Sequence, residues 1–494
     1  MKKMLIKMTA LILVALFLLS GCKFVVKENK VLLNPTESTS TSASTSASTP
    51  TSTSISSPIS SPTSATDSAG GTTTAGQAGG STKATSTVQT HAEPKLSGKL
   101  EVQVFTNESE ACSDAWTYIL NSFEREAGVK VTAYIGSQVN SQLSKRWMGN
   151  NPPDIALLDG SGIPVEALET SGALYDLTDT LKNGYVYGTN EKIWDVTNHE
   201  IHERLQLNGK YHRAAIMGAA YGVMYDSVFV KELGVTVPGN YTQLKSFVSA
   251  VKAKGSEVFT TSGSSGNYAT WSMVMPALAA YGQSFFDEIQ IAKKSVWKKA
   301  EVKSVFTRWY DFCRMDAAML TGTATYDHTT AQMKWLKHDC VLIGNGIWLP
   351  WEMANSTPSG FLMHYAPSPM ILDTQKPTTV IQPTAMIVAR EAKNLDNALA
   401  FLRYLYRKDI QTKIVSAYAY FCARTDISYT EISGLSAASR RFLGYIDSDK
   451  VKLVYRRYNW CSLNDTVTSV IHGMMTGSKT PDAAIDELVS KANA

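Results

Sequence analysis

The sequence predicts an α/β protein, a parallel sheet with helices on its faces, whose core is divided between two lobes. From Gly98 onward, apolar runs of period two alternate with stretches of helical spacing, the pattern of strands joined by helices across a sheet. The stretch 98–494 also exceeds the roughly 250–300 residues at which a single hydrophobic core stops growing. Residues before it cannot join a core, so a prior of about 150 residues per domain applies to the body alone.

The N-terminus has its own logic. Met1, Lys2, Lys3 and Lys7 precede the apolar run Leu11 to Leu19, which is short for a transmembrane span and has the form of a signal peptide over residues 1–21. It ends in Leu19-Ser20-Gly21-Cys22, which resembles the lipobox of bacterial lipoproteins. The resemblance implies cleavage before Cys22, thioether lipidation of its sulfur and membrane anchoring of the new terminus. An ordinary secretory signal followed by a chance cysteine is the alternative. Residues 22–97 then form a linker: between Thr36 and Ala65, 21 of 30 residues are Ser or Thr, too polar to bury a core. As a flexible coil this tether reaches about 50 Å.

Composition excludes several classes. Net charge is +4 with no basic block beyond the extreme N-terminus, so no nucleic-acid partner is expected. Without Cys22, five cysteines remain, Cys112, Cys313, Cys340, Cys422 and Cys461. An odd number leaves at least one unpaired, and none stands at metal-ligand spacing, so neither a metal site nor a cofactor is expected.

Within the body, Leu100 to Phe105 alternates as a strand. Trp116, Ile119, Leu120 and Phe123 follow at helical spacing, with Ser113 as an N-cap and Gly128 as the stop. Val129 to Ile135 reads as a second strand, a polar helix carries Leu143 and Trp147, and Ile155 to Leu158 follows Pro152-Pro153. Asn240 caps a helix bearing Leu244, Phe247, Val248 and Val251 before Gly255; Asn394 caps one bearing Ala398, Phe401, Leu402 and Leu405. Ligands of such sheets bind beyond the carboxyl ends of strands, here Asn107-Glu108, Gly136-Ser137-Gln138 and Asp159-Gly160-Ser161.

A longer pattern runs through the body: Phe105-Thr106-Asn107-Glu108, Ser122 to Val131, Pro152-Pro153-Asp154-Ile155, Leu158 to Gly162, Tyr221 to Tyr225, Gly344 to Pro350, Glu352-Met353 and Ala398 to Leu402. It resembles the carbohydrate-binding lipoproteins of bacterial ABC importers, the family-one extracellular solute-binding proteins. The resemblance implies a periplasmic-binding-protein-like fold, two α/β lobes with mixed sheets joined by a multi-crossing hinge, with sugar in the cleft. By analogy the chain leaves lobe 1 near Arg213 to Gly222 and returns near Thr378 to Val388. Lobe 1 is then about 98–215 plus 380–430, and lobe 2 about 216–379 plus the C-terminal helices. Where the family often has a hydrophobic-glycine step, this chain has Gln382-Pro383-Thr384.

A pyranose presents an apolar C–H face and a rim of hydroxyls, so its site needs flat aromatic rings and planar polar groups. Trp271 and Trp348 match the family's stacking positions, with Tyr221 and Tyr268 nearby in sequence. Asn107, Glu108, Gln138 and Asp159 stand at the strand ends for the rim, and Asn345 and Glu352 flank Trp348. Each has a plainer competitor. Without the resemblance, Trp271 with Met275 and Leu278 reads first as a helix core stripe; Asp159 before Gly160 equally holds its own turn; Asn107-Glu108 could cap the helix starting near Asp114 but stand rather far upstream for that.

Enzymatic signals are poor. His199-Glu200-Ile201-His202 lacks the third spacer of a zinc-protease helix and reads as a solvated stretch. No nucleophile elbow or phosphate loop appears, and no feature selects a glycosidase-like carboxylate pair. The expectation is a non-enzymatic, monomeric receptor, lipid-anchored on the extracytoplasmic face of the membrane, that closes on a mono- or oligosaccharide and delivers it to an ABC permease. The alternatives are a binding protein signalling to a membrane kinase or chemoreceptor, and a wall-tethered carbohydrate-active enzyme.

Overall fold

The computed structural model describes residues 91–106, 110–158, 165–457 and 462–492. Cys22, the Ser/Thr-rich tract and Cys461 lie outside them. Strand β1 (Lys99–Phe105) alternates buried Leu100, Val102 and Val104 against helix α1 (Glu110–Ala127). The α1 helix turns in Cys112, Trp116, Ile119, Leu120 and Phe123, one stripe at helical spacing. It begins at Glu110, so Ser113 lies inside the helix, where its carbonyl accepts the Thr117 hydroxyl at 2.8 Å, and is not the cap the sequence predicts. Gly128, at φ +69°, ends it as expected.

Strand β2 (Lys130–Gly136), helix α2 (Val139–Met148) and strand β3 (Ile155–Leu158) follow, and β2 and β3 both pair in parallel with β1. A hairpin of β4 (Gln206–Leu207) and β5 (Lys210–Tyr211) leads into β6 (Ala214–Asp226). Then come α3 (Tyr241–Ala253), capped as expected by Asn240 Oδ1 accepting from Gln243 N, β7 (Glu257–Thr261), α4 (Gln283–Gln290), α5 (Ala300–Phe312) and α6 (His328–Leu336). Strand β8 (Cys340–Gly346), the single turn α7 (Leu349–Glu352), β9 (Met363–Ala366) and β10 (Thr378–Val388) complete the middle of the chain. Helices α8 (Leu395–Tyr404) and α9 (Lys408–Tyr418), strands β11 (Phe421–Cys422) and β12 (Lys452–Tyr455), and helices α10 (Asn464–Thr476) and α11 (Pro481–Lys491) end it. Asn394 does not cap α8 with its side chain; its backbone and amide N–H groups both donate to the Asp154 carboxylate, tying the helix to the start of β3.

Among the described residues, 10 strands form one mixed sheet along β2-β1-β3-β10-β6-β8-β7, with β9, β11 and β12 paired off this path. Its continuity depends on two long strands that change partners midway. In β6, Ala214 to Ala220 pairs with β10, whereas Tyr221 to Asp226 pairs with β8 and β9. In β10, Thr378 to Ile381 runs parallel to β12, the middle lies against β6, and Ala385 to Val388 lies against β3. Pro383 has no N–H to give a ladder, and the register slips between Thr384 and Ala385, the irregularity that lets a central strand hold a proline.

Separate cores serve the two ends of this sheet. One gathers Trp116, Phe123, Phe401 and Tyr404 under β1; another gathers Leu244, Phe306, Trp309 and Leu488 under β7. The C-terminal helices α10 and α11 pack into the second. This is a two-lobed α/β architecture in which the chain crosses through β6 and β10. Cys313, Cys340 and Cys422 are thiols, and the Cys112 thiol donates to the Ala417 carbonyl.

The segment His199 to Glu203 departs from expectation. It forms one helical turn with Ile201 and His202 turned inward, because Trp194 and Tyr406 offer ring surface for the imidazole, each with centroids 6.0 Å away. His202 is 0% exposed, and neither ring nitrogen has a partner among the described residues. Burial, with His199 adding to it, pulls its pKa from 6.5 down to about 3. The folded protein therefore holds fewer protons than the unfolded chain below pH 6.5, and stability falls as pH drops from there toward 3. Urea denaturation at pH 5 should show a loss of about 2 kcal/mol relative to pH 7 from this group, at 1.36 kcal/mol per unit. A His202→Phe protein should lack that component; an unchanged pH slope in the variant would remove His202 as its source.

Candidate functional site

Where β6 and β10 cross, alternate residues share one face. Met217, Ala219 and Tyr221 of β6 and Gln382 and Thr384 of β10 point into a cleft of about 280 Å³. This is just below the roughly 300–1,000 Å³ of small-molecule sites. Phe105 at the end of β1, Tyr418 at the end of α9 and Tyr420 just beyond it close one side; Tyr268, Trp348 and Glu352 close the other. Ala419, between the two tyrosines, takes φ +54°, and that turn directs both rings to the cleft.

Trp348 is half-buried and boxed by tyrosines: Tyr221 stands edge-on at 4.9 Å and 84°, Tyr420 at 6.1 Å and Tyr268 at 6.5 Å. Such edge-to-face contacts hold the indole in one orientation and leave ring surface for a ligand. The indole lies across Gly346, where a Cβ would overlap its ring atoms. Gly222 likewise makes room for the Tyr365 ring, whose hydroxyl donates to the Tyr221 carbonyl at 2.9 Å and so backs that side of the cleft. On the far wall, Tyr418 is pinned by Trp116 Nε1, which donates to its hydroxyl at 2.8 Å.

Polar groups are few. Buried Gln332 donates from Nε2 to Glu352 Oε2 at 2.7 Å, and the other carboxylate oxygen has no partner among the described residues. Burial pushes the Glu352 carboxyl above its usual range, against the pull of Gln332. Burial, then Tyr221 and Glu352, push the Tyr268 hydroxyl far above the usual phenol range, so it is a neutral donor and acceptor. Glu352 is the only carboxylate, and no Lys or Arg is present, among the described residues lining the cleft. The arrangement offers flat apolar rings with a carboxylate, a carboxamide and hydroxyls: surface for C–H faces and partners for hydroxyl groups. Among the described residues the lining holds no nucleophile–base pair, and no group of His, Cys, Asp or Glu is arranged to hold a metal.

Of the residues expected from sequence, Tyr221, Tyr268, Trp348 and Glu352 come together here. Trp271 does not line the cleft: it is 4% exposed in the second core, with the Arg456 guanidinium over its ring at 4.1 Å. Asn345 is 2% exposed and turns its Oδ1 back to accept from Gly346 N at 2.7 Å, holding the turn that presents Trp348. Gln138 is exposed at the start of α2, outside the wall, where its carbonyl accepts the Ser141 hydroxyl at 3.0 Å. Asn107, Glu108 and Asp159 lie outside the described residues. The reading from sequence missed Phe105, Met217, Ala219, Gln382, Thr384, Tyr418 and Tyr420 as walls. The period of two along β6 and β10 and the Tyr-Ala-Tyr step were the available signals.

Comparison with known proteins gives the site its context. The sequence matches the bacterial extracellular solute-binding protein family over residues 119–433. The diacetylchitobiose binding protein NgcE of Streptomyces coelicolor is 24% identical over 277 residues, 54% of this chain and 57% of that protein, so the match spans little more than half of its length. Among solved structures, apo RafE from Streptococcus pneumoniae superposes with a TM-score of 0.61 at 18% identity, covering 81% of this chain and 98% of RafE. A chitin oligosaccharide binding protein superposes with a TM-score of 0.62 at 14% identity, covering 79% and 98%. The structural likenesses establish a shared fold.

Proposed function

The chain belongs to the bacterial extracellular solute-binding proteins, and we propose that it captures a mono- or oligosaccharide in the cleft over the shared face of β6 and β10 and delivers it to an ABC permease. The observation that carries this reading is the wall itself: Trp348 and five further aromatic rings, with Glu352, Gln382 and Thr384 as hydrogen-bonding groups. NgcE is a diacetylchitobiose binding protein and RafE has been solved with raffinose, which supports a carbohydrate as the solute. The protein acts as a monomeric receptor without catalysis. Cys22 carries the lipid that holds it on the extracytoplasmic face, and the Ser/Thr-rich linker is its tether. Asn107, Glu108 and Asp159, from the lobe 1 segment of about 98–215 plus 380–430, are proposed as further ligand groups, and Trp348 as the stacking ring of lobe 2. Ligand touches both lobes only when they close, so binding favours the closed form.

Titration with N,N′-diacetylchitobiose, raffinose and galactose, followed by Trp fluorescence and small-angle scattering, tests this. At least one sugar should change the emission of Trp348 and reduce the radius of gyration. A protein that answers to none of them in either signal is not this receptor.

A further inference from the structure

The cleft wall is held from behind by a group that neither touches the ligand space nor belongs to the rim. Arg456 follows β12, and its backbone N–H donates to the Ile381 carbonyl at 2.8 Å, continuing the parallel pairing with β10. The opposite edge of β12 is clamped by α4: Gln283 Oε1 accepts from Tyr455 N at 2.8 Å and Gln283 Nε2 donates to Tyr455 O at 3.1 Å. The guanidinium then lies on the face of Trp271 at 4.1 Å and donates from Nη1 to Gln382 Oε1 at 2.7 Å. Trp271 itself is set by a π-helical turn over Thr270–Val274, an irregularity often found at functional sites.

We propose that Arg456 is a positioning residue for ligand recognition: held on Trp271, it fixes the Gln382 carboxamide with its N–H groups turned into the cleft, so that the bound molecule must present an oxygen acceptor there. The inference rests on the cleft being the ligand site. The chemistry is one-directional. Arginine has donors and no acceptor, so the oxygen of the carboxamide faces it and the nitrogen faces away. Gln382 Nε2 has no partner among the described residues, and Gln382 shares its face of β10 with Thr384. With Glu352 as acceptor on the other wall, the cleft reads a donor and an acceptor on the ligand at separate points. Trp271 thereby acts on the ligand through two intermediaries and not by stacking on it.

The test uses the full chain with N,N′-diacetylchitobiose and raffinose as probes, isothermal titration for affinity and the side-chain amide signals of ¹⁵N-glutamine for geometry. Gln382→Ala and Arg456→Met should each weaken binding about 10-fold, the value of one hydrogen bond held in place. The double variant should be no weaker than Gln382→Ala alone, and Arg456→Lys, which keeps a donor, should recover part of the loss. Gln382→Glu keeps an acceptor for Arg456 but has no N–H, so it should fold as wild type and bind as poorly as Gln382→Ala. Additive losses in the double variant, or wild-type affinity in Gln382→Glu, overturn the proposal. If neither sugar binds the wild type, the carbohydrate reading of the cleft fails by itself, and Arg456 is judged on the spectrum. A sharp Gln382 amide pair that broadens in Arg456→Met, or in Arg456→Lys should the methionine variant not fold, supports the proposal; an unchanged pair overturns it.

Discussion

Replacing Trp348 by alanine should raise the Kd for the bound sugar about 100-fold while leaving the unfolding midpoint near that of the wild type. The indole is half-buried, packed on the rim of the core cluster that holds Ile347 and Leu349 and lining the cleft, so its removal opens the cleft and empties little of the packed interior. Its contribution to binding is large because three tyrosines already hold it in one orientation, so a ligand ring meets a surface that loses little freedom on contact. Central aromatic anchors of this kind cost about 2–4 kcal/mol when truncated, and about 3 kcal/mol corresponds to ~100-fold. Trp348→Phe keeps a flat face and should lose much less. Calorimetric titration of the three proteins with the sugar selected by the fluorescence panel decides the matter. An alanine variant that binds as tightly as the wild type would place the ligand elsewhere.

The second large effect concerns folding. Glu169 and Arg213 form a bidentate pair in which Arg213 Nε donates to Glu169 Oε1 at 2.6 Å and Nη2 donates to Oε2. Their side chains are 0% and 6% exposed. Taking both charges out of water is costly, and their bidentate contact offsets much of that cost. Glu169→Ala leaves the guanidinium buried without its carboxylate and should cost about 3–5 kcal/mol, read as a fall in the urea midpoint. The double variant Glu169→Leu with Arg213→Met removes both charges and should recover most of that loss. If the single and double variants unfold together, the pair's electrostatics are not what stabilises this corner. Arg213 stands immediately before β6, so the same change loosens the strand that carries Met217, Ala219 and Tyr221 to the cleft.

How much of this was legible beforehand follows from the range of the interactions. Helix α1, strand β1 and the Asn240 cap were readable because a strand's period of two, a helix's apolar stripe and a cap are written within a few neighbouring residues. The crossings at 213–222 and 378–388 lie within a few residues of β6 and β10, though that placement came from resemblance and not from periodicity. Cues only a few residues long also misled: Ser113 had the chemistry of a cap but sits inside α1, and His199 to His202 looked solvated because its burial depends on Trp194 and Tyr406, the latter some 200 positions away in the chain.

The cleft divides along the same line. Trp348 was picked out by its resemblance to the family's stacking position, with Glu352 as its neighbour, and the glycines of Gly344-Asn345-Gly346 before it favour an exposed ring over a core one. Trp271 could not be separated from a core residue by spacing alone, and it is buried under Arg456, a partner 185 positions away. By itself the sequence determined the alternating α/β order, the polar N-terminal tract and an aromatic, carboxylate-bearing segment around Trp348, since each is a matter of composition or short period. Only the tertiary structure decided that Gln382, Thr384, Tyr418 and Tyr420 join that segment, because which faces of two crossing strands meet is set by long-range pairing and by the slip in register beside Pro383.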